Sequence, residues 1–214
     1  RDRTIKVLNP KEVVFEGGRE LELDAVSEVP RYYVCNAYGV CGIYSAPGTA
    51  VKEAYDTSGI VTNDRGVTVW LKGNRVSRNQ IMAIKEESVT EQKNSLAVCL
   101  DNILRHAGIT RNTEYDLAQG KTATTILSEN MTGVQVLDLS GCTLDAVLYY
   151  VNQDIPVLAI LEDGEAVLVT GFNEFNVVIM EPATGKLYKK GMNDATAWFA
   201  ENGNHFITYM RIEN

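Results

Sequence analysis

The sequence predicts an α+β protein. Apolar residues recur at helical spacing after about residue 95, short strands separated by turn residues fill the chain beyond Pro156, and a smaller strand-strand-helix-strand-strand pattern precedes both. Residues 1 to 28 mix charge with short apolar stretches, and Lys11 to Phe15 reads as a strand ahead of a Gly17-Gly18 turn. From Val29, strands are predicted over Tyr32 to Ala37 and Val40 to Ser45. A helix opened by Pro47-Gly48-Thr49 follows, with Ala50, Ala54 and Tyr55 at helical spacing and Gly59 as its stop. Strand Ile60 to Thr62, a turn at Asn63-Asp64-Arg65-Gly66 and strand Val67 to Lys72 complete the unit. Its aromatics Tyr32, Tyr33, Tyr38, Tyr44 and Trp70 suit either its core or a ligand surface.

Residues 73 to 94 are polar and charged, which marks a linker. The predicted boundary lies near 88, separating a small α+β N-terminal domain with a leading arm (1–88) from a second domain (89–214). In the second, Leu96, Cys99, Leu100, Ile103 and Leu104 define a buried central helix, with Asn94 or Ser95 as N-cap and Gly108 as C-cap. Shorter helices are expected around Thr113 to Gln119 and Thr122 to Glu129. Another runs from Thr143 to Asn152, carrying Leu144, Val147, Leu148 and Val151 on one face. Strands follow at Val157 to Leu161, Ala166 to Gly171, Asn176 to Met180, Lys186 to Lys189 and His205 to Arg211, divided by turns such as Asp163-Gly164 and Thr184-Gly185.

The bulk composition narrows the function classes. With 214 residues and 45% hydrophobic content, the chain can bury one sizeable core or two modest ones. Twenty basic against 28 acidic side chains leave a net charge of −8 with no basic patch, which argues against nucleic acid and anionic membranes as partners. Apolar runs such as Val157 to Leu161 fall far short of the roughly 18 residues that cross a bilayer. Membrane attachment is therefore expected only through a signal or anchor upstream of Arg1. The four cysteines (Cys35, Cys41, Cys99, Cys142) form no CxxC pair, so thiolate zinc is not expected. Cys35 and Cys41 read either as a disulfide across a hairpin or as free thiols. Asp56 to Asp64 lacks the ligand spacing of a calcium loop, and no glycine-rich phosphate cradle is present, so no metal and no cofactor are expected. Glu162, Asp163 and Glu165 read as a solvated turn.

Several stretches carry a resemblance in their order and spacing: Ser95 to Gly108 (SLAVCLDNILRHAG), Pro156-Val157-Leu158-Ala159, Gly164 to Phe172 (GEAVLVTGF), Glu181-Pro182-Ala183-Thr184-Gly185, and Asn193 to Phe199 (NDATAWF). Together they resemble the papain-like cysteine peptidases of the bacteriocin-leader-processing family and its stand-alone bacterial relatives. In that family a Cys opens the first helix, a Gly-His-Tyr motif supplies the base, and an Asp-Pro motif orients the base. The resemblance covers about the last 125 residues. It implies a papain-like α+β fold of helices then antiparallel sheet, and an exported or cell-surface bacterial protein.

That chemistry needs a thiolate at a helix N-terminus, where the helix dipole lowers its pKa, an imidazole to carry the proton, and a carboxylate or amide to orient the ring. With Gly108 in register, Ser95 stands at the cysteine position, Glu165 at the histidine and Glu181 at the aspartate. A carboxylate titrating near its reference of about 4.3 is too weak a base for an alcohol. Ser95 is then read as an N-cap, and no catalytic residues are expected at these positions. Gln92 reads as a solvated linker residue or as an echo of the family's oxyanion-hole glutamine at shorter spacing.

Cys99 and His106, about 10 Å apart along one helix, do not make a dyad, and Cys99 reads as a buried structural cysteine. Cys142, opening a helix, with His205 on the last strand is the alternative cysteine-hydrolase site. The expected function is a binding or regulatory module that keeps the substrate cleft, around Gln92, Ser95 and Glu165, for an extended peptide or a protein. The competing readings are the Cys142/His205 hydrolase and a structural cell-surface module that binds through its N-terminal tyrosines.

Overall fold

The computed structural model describes residues 5–9, 12–15, 19–21, 29–73 and 94–212. By their contacts these divide into two units, residues 1–30 and 31–214. The first unit holds three antiparallel strands in the order β1 (Ile5–Asn9), β2 (Glu12–Phe15), β3 (Arg19–Leu21), where the sequence predicts one strand from Lys11. The Gly17-Gly18 turn lies outside the described residues.

The second unit opens with β4 (Tyr32–Asn36) and β5 (Gly39–Tyr44), followed by α1 (Pro47–Thr57), β6 (Ile60–Asn63) and β7 (Thr68–Leu71). The strands form an antiparallel sheet in the order β5-β4-β6-β7. Pro47 sits in the first turn of α1, where its missing N–H costs nothing. The helix stops one residue earlier than the sequence suggests, because Ser58 takes the left-handed conformation (φ 55°) and Gly59 N donates to Ala54 O. Glycine at 59 serves close approach instead: a Cβ there would stand 2.8 Å from the Cys35 carbonyl oxygen. Cys35 pairs in register with Val40 and carries a free thiol, so of the two readings of the cysteine pair the fold adopts the free one. Asn63 Oδ1 accepts from Arg65 N and Val67 N, closing the predicted turn ahead of β7.

Four helices, α2 (Ser95–His106), α3 (Glu114–Ala118), α4 (Ala123–Asn130) and, after strand β8 (Val134–Asp138), α5 (Leu144–Asn152), precede β9 (Val157–Ile160), β10 (Ala166–Phe172), β11 (Asn176–Glu181) and β12 (Lys186–Gly191). Helix α6 (Met192–Glu201) and β13 (His205–Arg211) close the unit. All neighbours in the second sheet are antiparallel, in the order β12-β11-β10-β9-β13-β8. Helices followed by antiparallel strands give the α+β class that the sequence predicts. Every residue of β10 is buried, and α2 and α5 both pack on it. On β13, Tyr209 meets His106 of α2, whereas Phe206 on the opposite face meets Phe199 of α6 edge-on at 5.2 Å.

The expected boundary near 88 falls outside the described residues, and the contacts instead join 31–73 to 94–212. The seam between them is well bonded. Trp70 Nε1 donates to Ala146 O (3.0 Å), Tyr150 Oη to Val69 O (3.0 Å), Gln135 Nε2 to Tyr32 Oη (2.8 Å) and Asn63 Nδ2 to Gln135 Oε1 (3.1 Å). Val34, Val51 and Val61 belong to the same buried cluster as Leu100, Val147 and Leu168. Tyr32 and Trp70 are buried in it, Tyr33 and Tyr44 are half-buried, and Tyr38 alone of the five N-terminal aromatics is fully in solvent.

Candidate functional site

The site grows from the N-terminus of α2. Asn94 is the N-cap, its Oδ1 accepting from Leu96 N (2.9 Å) and Ala97 N (3.2 Å). Ser95, expected to cap the helix, is its first residue, and its hydroxyl is turned away from the helix backbone. Ser95 Oγ accepts from Ala166 N at 3.0 Å, joining the start of the central helix to the start of β10. The far end of α2 closes as predicted, with Gly108 left-handed (φ 83°) and Ile109 N donating to Leu104 O.

Glu165 lies exposed at the mouth of the β9–β10 turn. Its N–H donates to Asp163 Oδ1 and its carbonyl accepts from Leu161 N, with Gly164 left-handed between them. Glu181 ends β11 on the adjacent strand and is also exposed. Its Oε2 accepts from Thr184 Oγ1 (2.7 Å), and it faces Lys186 across the ladder. The structure thus ties Ser95 to Ala166, the residue after Glu165, and leaves Glu181 to its own turn. Gln92 lies outside the described residues.

Cys99, one turn beyond Ser95, is fully buried. Burial pushes its thiol far up, and the Glu165 carboxylate adds to the effect. Cys142 is buried as well, and its Sγ donates to Gly48 O in the first turn of α1 (3.3 Å). Desolvation outweighs the nearby Lys52 and raises this thiol to about 12, so the helix end expected to hold a thiolate holds a thiol. The backbone does bring Cys142 and His205 into one neighbourhood: Leu139 N donates to Phe206 O and Gly141 N to Asn204 O. The side chains diverge, the thiol toward α1 and the exposed imidazole over Gly203. His205 shares a cross-strand row with Ile160 and Ala166, two strands from the Ser95 contact, or roughly 10 Å at ordinary strand spacing.

His106 is committed elsewhere. Its side chain is 3% exposed, with Nε2 facing Asp154 Oδ2 at 3.6 Å and Nδ1 sharing a hydrogen bond with Tyr209 Oη at 3.0 Å. Burial lowers its pKa, against the opposing pull of Asp154. The unfolded chain then takes up a proton at a higher pH than the folded one, so His106 costs stability as pH falls from its unfolded value of about 6.5 toward its depressed folded value. Urea midpoints at pH 7 and pH 5 should fall further for the wild type than for His106→Gln; equal slopes would contradict this.

Among the described residues no group of three His, Cys, Asp or Glu side chains is placed to hold a metal ion, and no helix is long and apolar enough to cross a membrane. No protein-family model and no curated protein matches the chain. Among solved structures, the fold is similar to that of a protein from Bacillus anthracis described as a C39-like peptidase. The likeness has a TM-score of 0.54 and covers 65% of this chain and 100% of that one, at 12% sequence identity. The chain has a peptidase-like fold. At that identity the likeness is one of architecture, and the roles of Ser95, Glu165 and Glu181 rest on their own surroundings.

Sequence reasoning missed that Ser95 bridges to the sheet. The signal available was Asn94, a better cap than serine at the preceding position, which leaves the Ser95 hydroxyl without a local task.

Proposed function

We propose that this chain is a non-catalytic relative of bacterial papain-like leader peptidases, exported or displayed at the cell surface, that binds an extended peptide or a protein segment in the groove between α2 and β10. The observation that carries the reading is the Ser95 Oγ to Ala166 N hydrogen bond. At the position where the resemblance puts a nucleophile stands a hydroxyl that braces the sheet, and at the position of the base stands an exposed carboxylate. A hydroxyl is activated by a positioned base that titrates near neutral pH, and a solvated carboxylate does not meet that need. An extended segment laid along such a groove would gain main-chain hydrogen bonds and side-chain pockets without being cut.

A displayed library of extended peptides, panned against the wild type and against Glu165→Lys, tests this. Peptides captured intact by the wild type and lost by the charge-reversed variant are the expected result. Captured peptides recovered as fragments, or equal capture by both proteins, would defeat the reading. Ser95→Ala removes the acceptor of Ala166 N and should lower stability by about 1 kcal/mol, measured by urea denaturation.

A further inference from the structure

Away from that groove, the second sheet ends unevenly. β8 pairs with β13 as far as Arg211, whereas β9 pairs with it only over His205 to Ile207. Just ahead of β9, the Pro156 carbonyl takes the Thr208 hydroxyl at 2.9 Å, and among the described residues Tyr209 to Arg211 then run on with a strand on one side only. Ile212 N donates to Gly133 O, which marks that pair as hydrogen-bonded. Antiparallel pairs alternate, so Arg211 turns its own N–H and C=O toward the side that β9 leaves. There β7, the last turn of α5 and the end of β13 enclose a pocket of about 380 Å³, at the small end of the roughly 300 to 1,000 Å³ of small-molecule sites.

The pocket's lining sorts by polarity. Ile155 and Met210 are buried at its floor, Tyr149 is half-buried, and Thr68, Gln153 and Arg211 are exposed. Arg211 is the single charged side chain in the lining. Among the described residues the ion pairs join His106 to Asp154, Arg111 and Lys121 to Asp116, and Lys121 to Glu129, and none takes Arg211. An arginine on open surface needs no partner, but one that walls a pocket presents its fork of donors to whatever enters. Its charge also reaches inward, adding to the burial that lowers the His106 pKa.

This chemistry selects a ligand class. A guanidinium meets a carboxylate through two parallel N–H···O bonds, and its one charge balances a monoanion. A phosphate monoester, with a charge of about −1.5 to −2 near neutral pH, would stay uncompensated in a chain of net charge −8.

We propose that the pocket between β7, the last turn of α5 and the end of β13 binds a small organic monocarboxylate, its carboxylate paired with the Arg211 guanidinium. β13 meets α2 at His106, about 16 Å along that helix from Ser95, so the site is independent of the groove and stands whether or not the groove binds peptides.

Titrating the ¹⁵N-labelled protein with sodium benzoate at fixed ionic strength tests this by two-dimensional amide NMR. Saturable shifts centred on Arg211, Gln153 and Thr68 are expected, with none from the neutral isostere benzamide. Arg211→Gln should weaken benzoate binding by about tenfold or more, and its spectrum away from the pocket, superposable on the parent's, separates loss of binding from loss of fold. The wild type supplies a second measurement. The chain has two histidines, and pairing a carboxylate with Arg211 removes one influence that lowers His106, so benzoate should move the His106 titration midpoint upward and leave exposed His205 in place. No saturable shift, an equal response to benzamide, undiminished binding by Arg211→Gln or an unmoved His106 midpoint overturns the site. Inorganic phosphate that displaces benzoate at equal concentration overturns the assignment to carboxylates.

Discussion

Iodoacetamide at pH 8 should leave Cys142 unmodified in the folded protein, alkylating it about a thousandfold more slowly than an unperturbed thiol. A thiol held at about 12 in place of its ordinary 9.0 has about one thousandth of the thiolate at that pH, and the thiolate is the reactive species. Burial adds a barrier of access, since Cys142 is 1% exposed with its Sγ against Gly48 O. Cys99 should be slower still, being wholly buried beside the Glu165 carboxylate. The half-buried Cys35 serves as the internal comparison. Peptide mapping after a timed pulse, with and without urea, reads each site separately, and unfolding should release both slow thiols. Rapid native labelling of Cys142 would instead revive the hydrolase that pairs it with His205, because a cysteine nucleophile needs the ionised form that this environment suppresses.

Trp70→Ala should lower stability by about 3 to 5 kcal/mol, the range for emptying a buried aromatic site. It removes a ring packed between Tyr55 and Tyr149 and the Nε1 donor to Ala146 O, and its contacts with Tyr149 and Ala146 cross from residues 31–73 to residues 94–212. The consequence should therefore reach the whole second unit. Urea unfolding followed by far-ultraviolet circular dichroism should show one transition at a lower midpoint, not the loss of a small unit ahead of an unchanged large one. Trp70→Phe keeps most of the ring and should cost about 1 to 2 kcal/mol through the lost hydrogen bond. Two separated transitions in either variant would argue for two independent domains.

The elements best read from sequence are those whose information is local. Helix α2 announces itself through Leu96, Cys99, Leu100, Ile103 and Leu104, its N-cap Asn94 and the left-handed Gly108. The later strands follow from apolar runs and turn residues. Strand β8 was not anticipated. Val134 to Asp138 is a short, mostly half-buried segment that becomes a strand by pairing with β13, roughly seventy residues away. The polar stretch between 73 and 94 reads as a linker because polarity signals solvent contact. Polarity says nothing about whether the flanking segments share a core, which here depends on Trp70, Tyr150 and Gln135 reaching across.

The candidate site divides in the same way. The motif order sets Ser95 against Glu165, and the observed bond from Ser95 is to the neighbouring Ala166 N. The role of Ser95 as a brace, not a cap, depends on a tertiary contact that no local pattern encodes. The buried surroundings of Cys142 have the same origin: its place at the head of α5 suggests a stabilised thiolate, and α1 packing over it reverses the sign.

Central to the proposed function is that the head of α2, at Ser95, pairs no nucleophile with an imidazole. Incubating the purified protein with a diverse peptide mixture between pH 5 and pH 9 and following every peptide by mass spectrometry tests it most directly. The account predicts no time-dependent cleavage above that of a heat-denatured control. Cleavage that disappears on changing Ser95 to Ala, or either Cys142 or His205 to Ala, would contradict it.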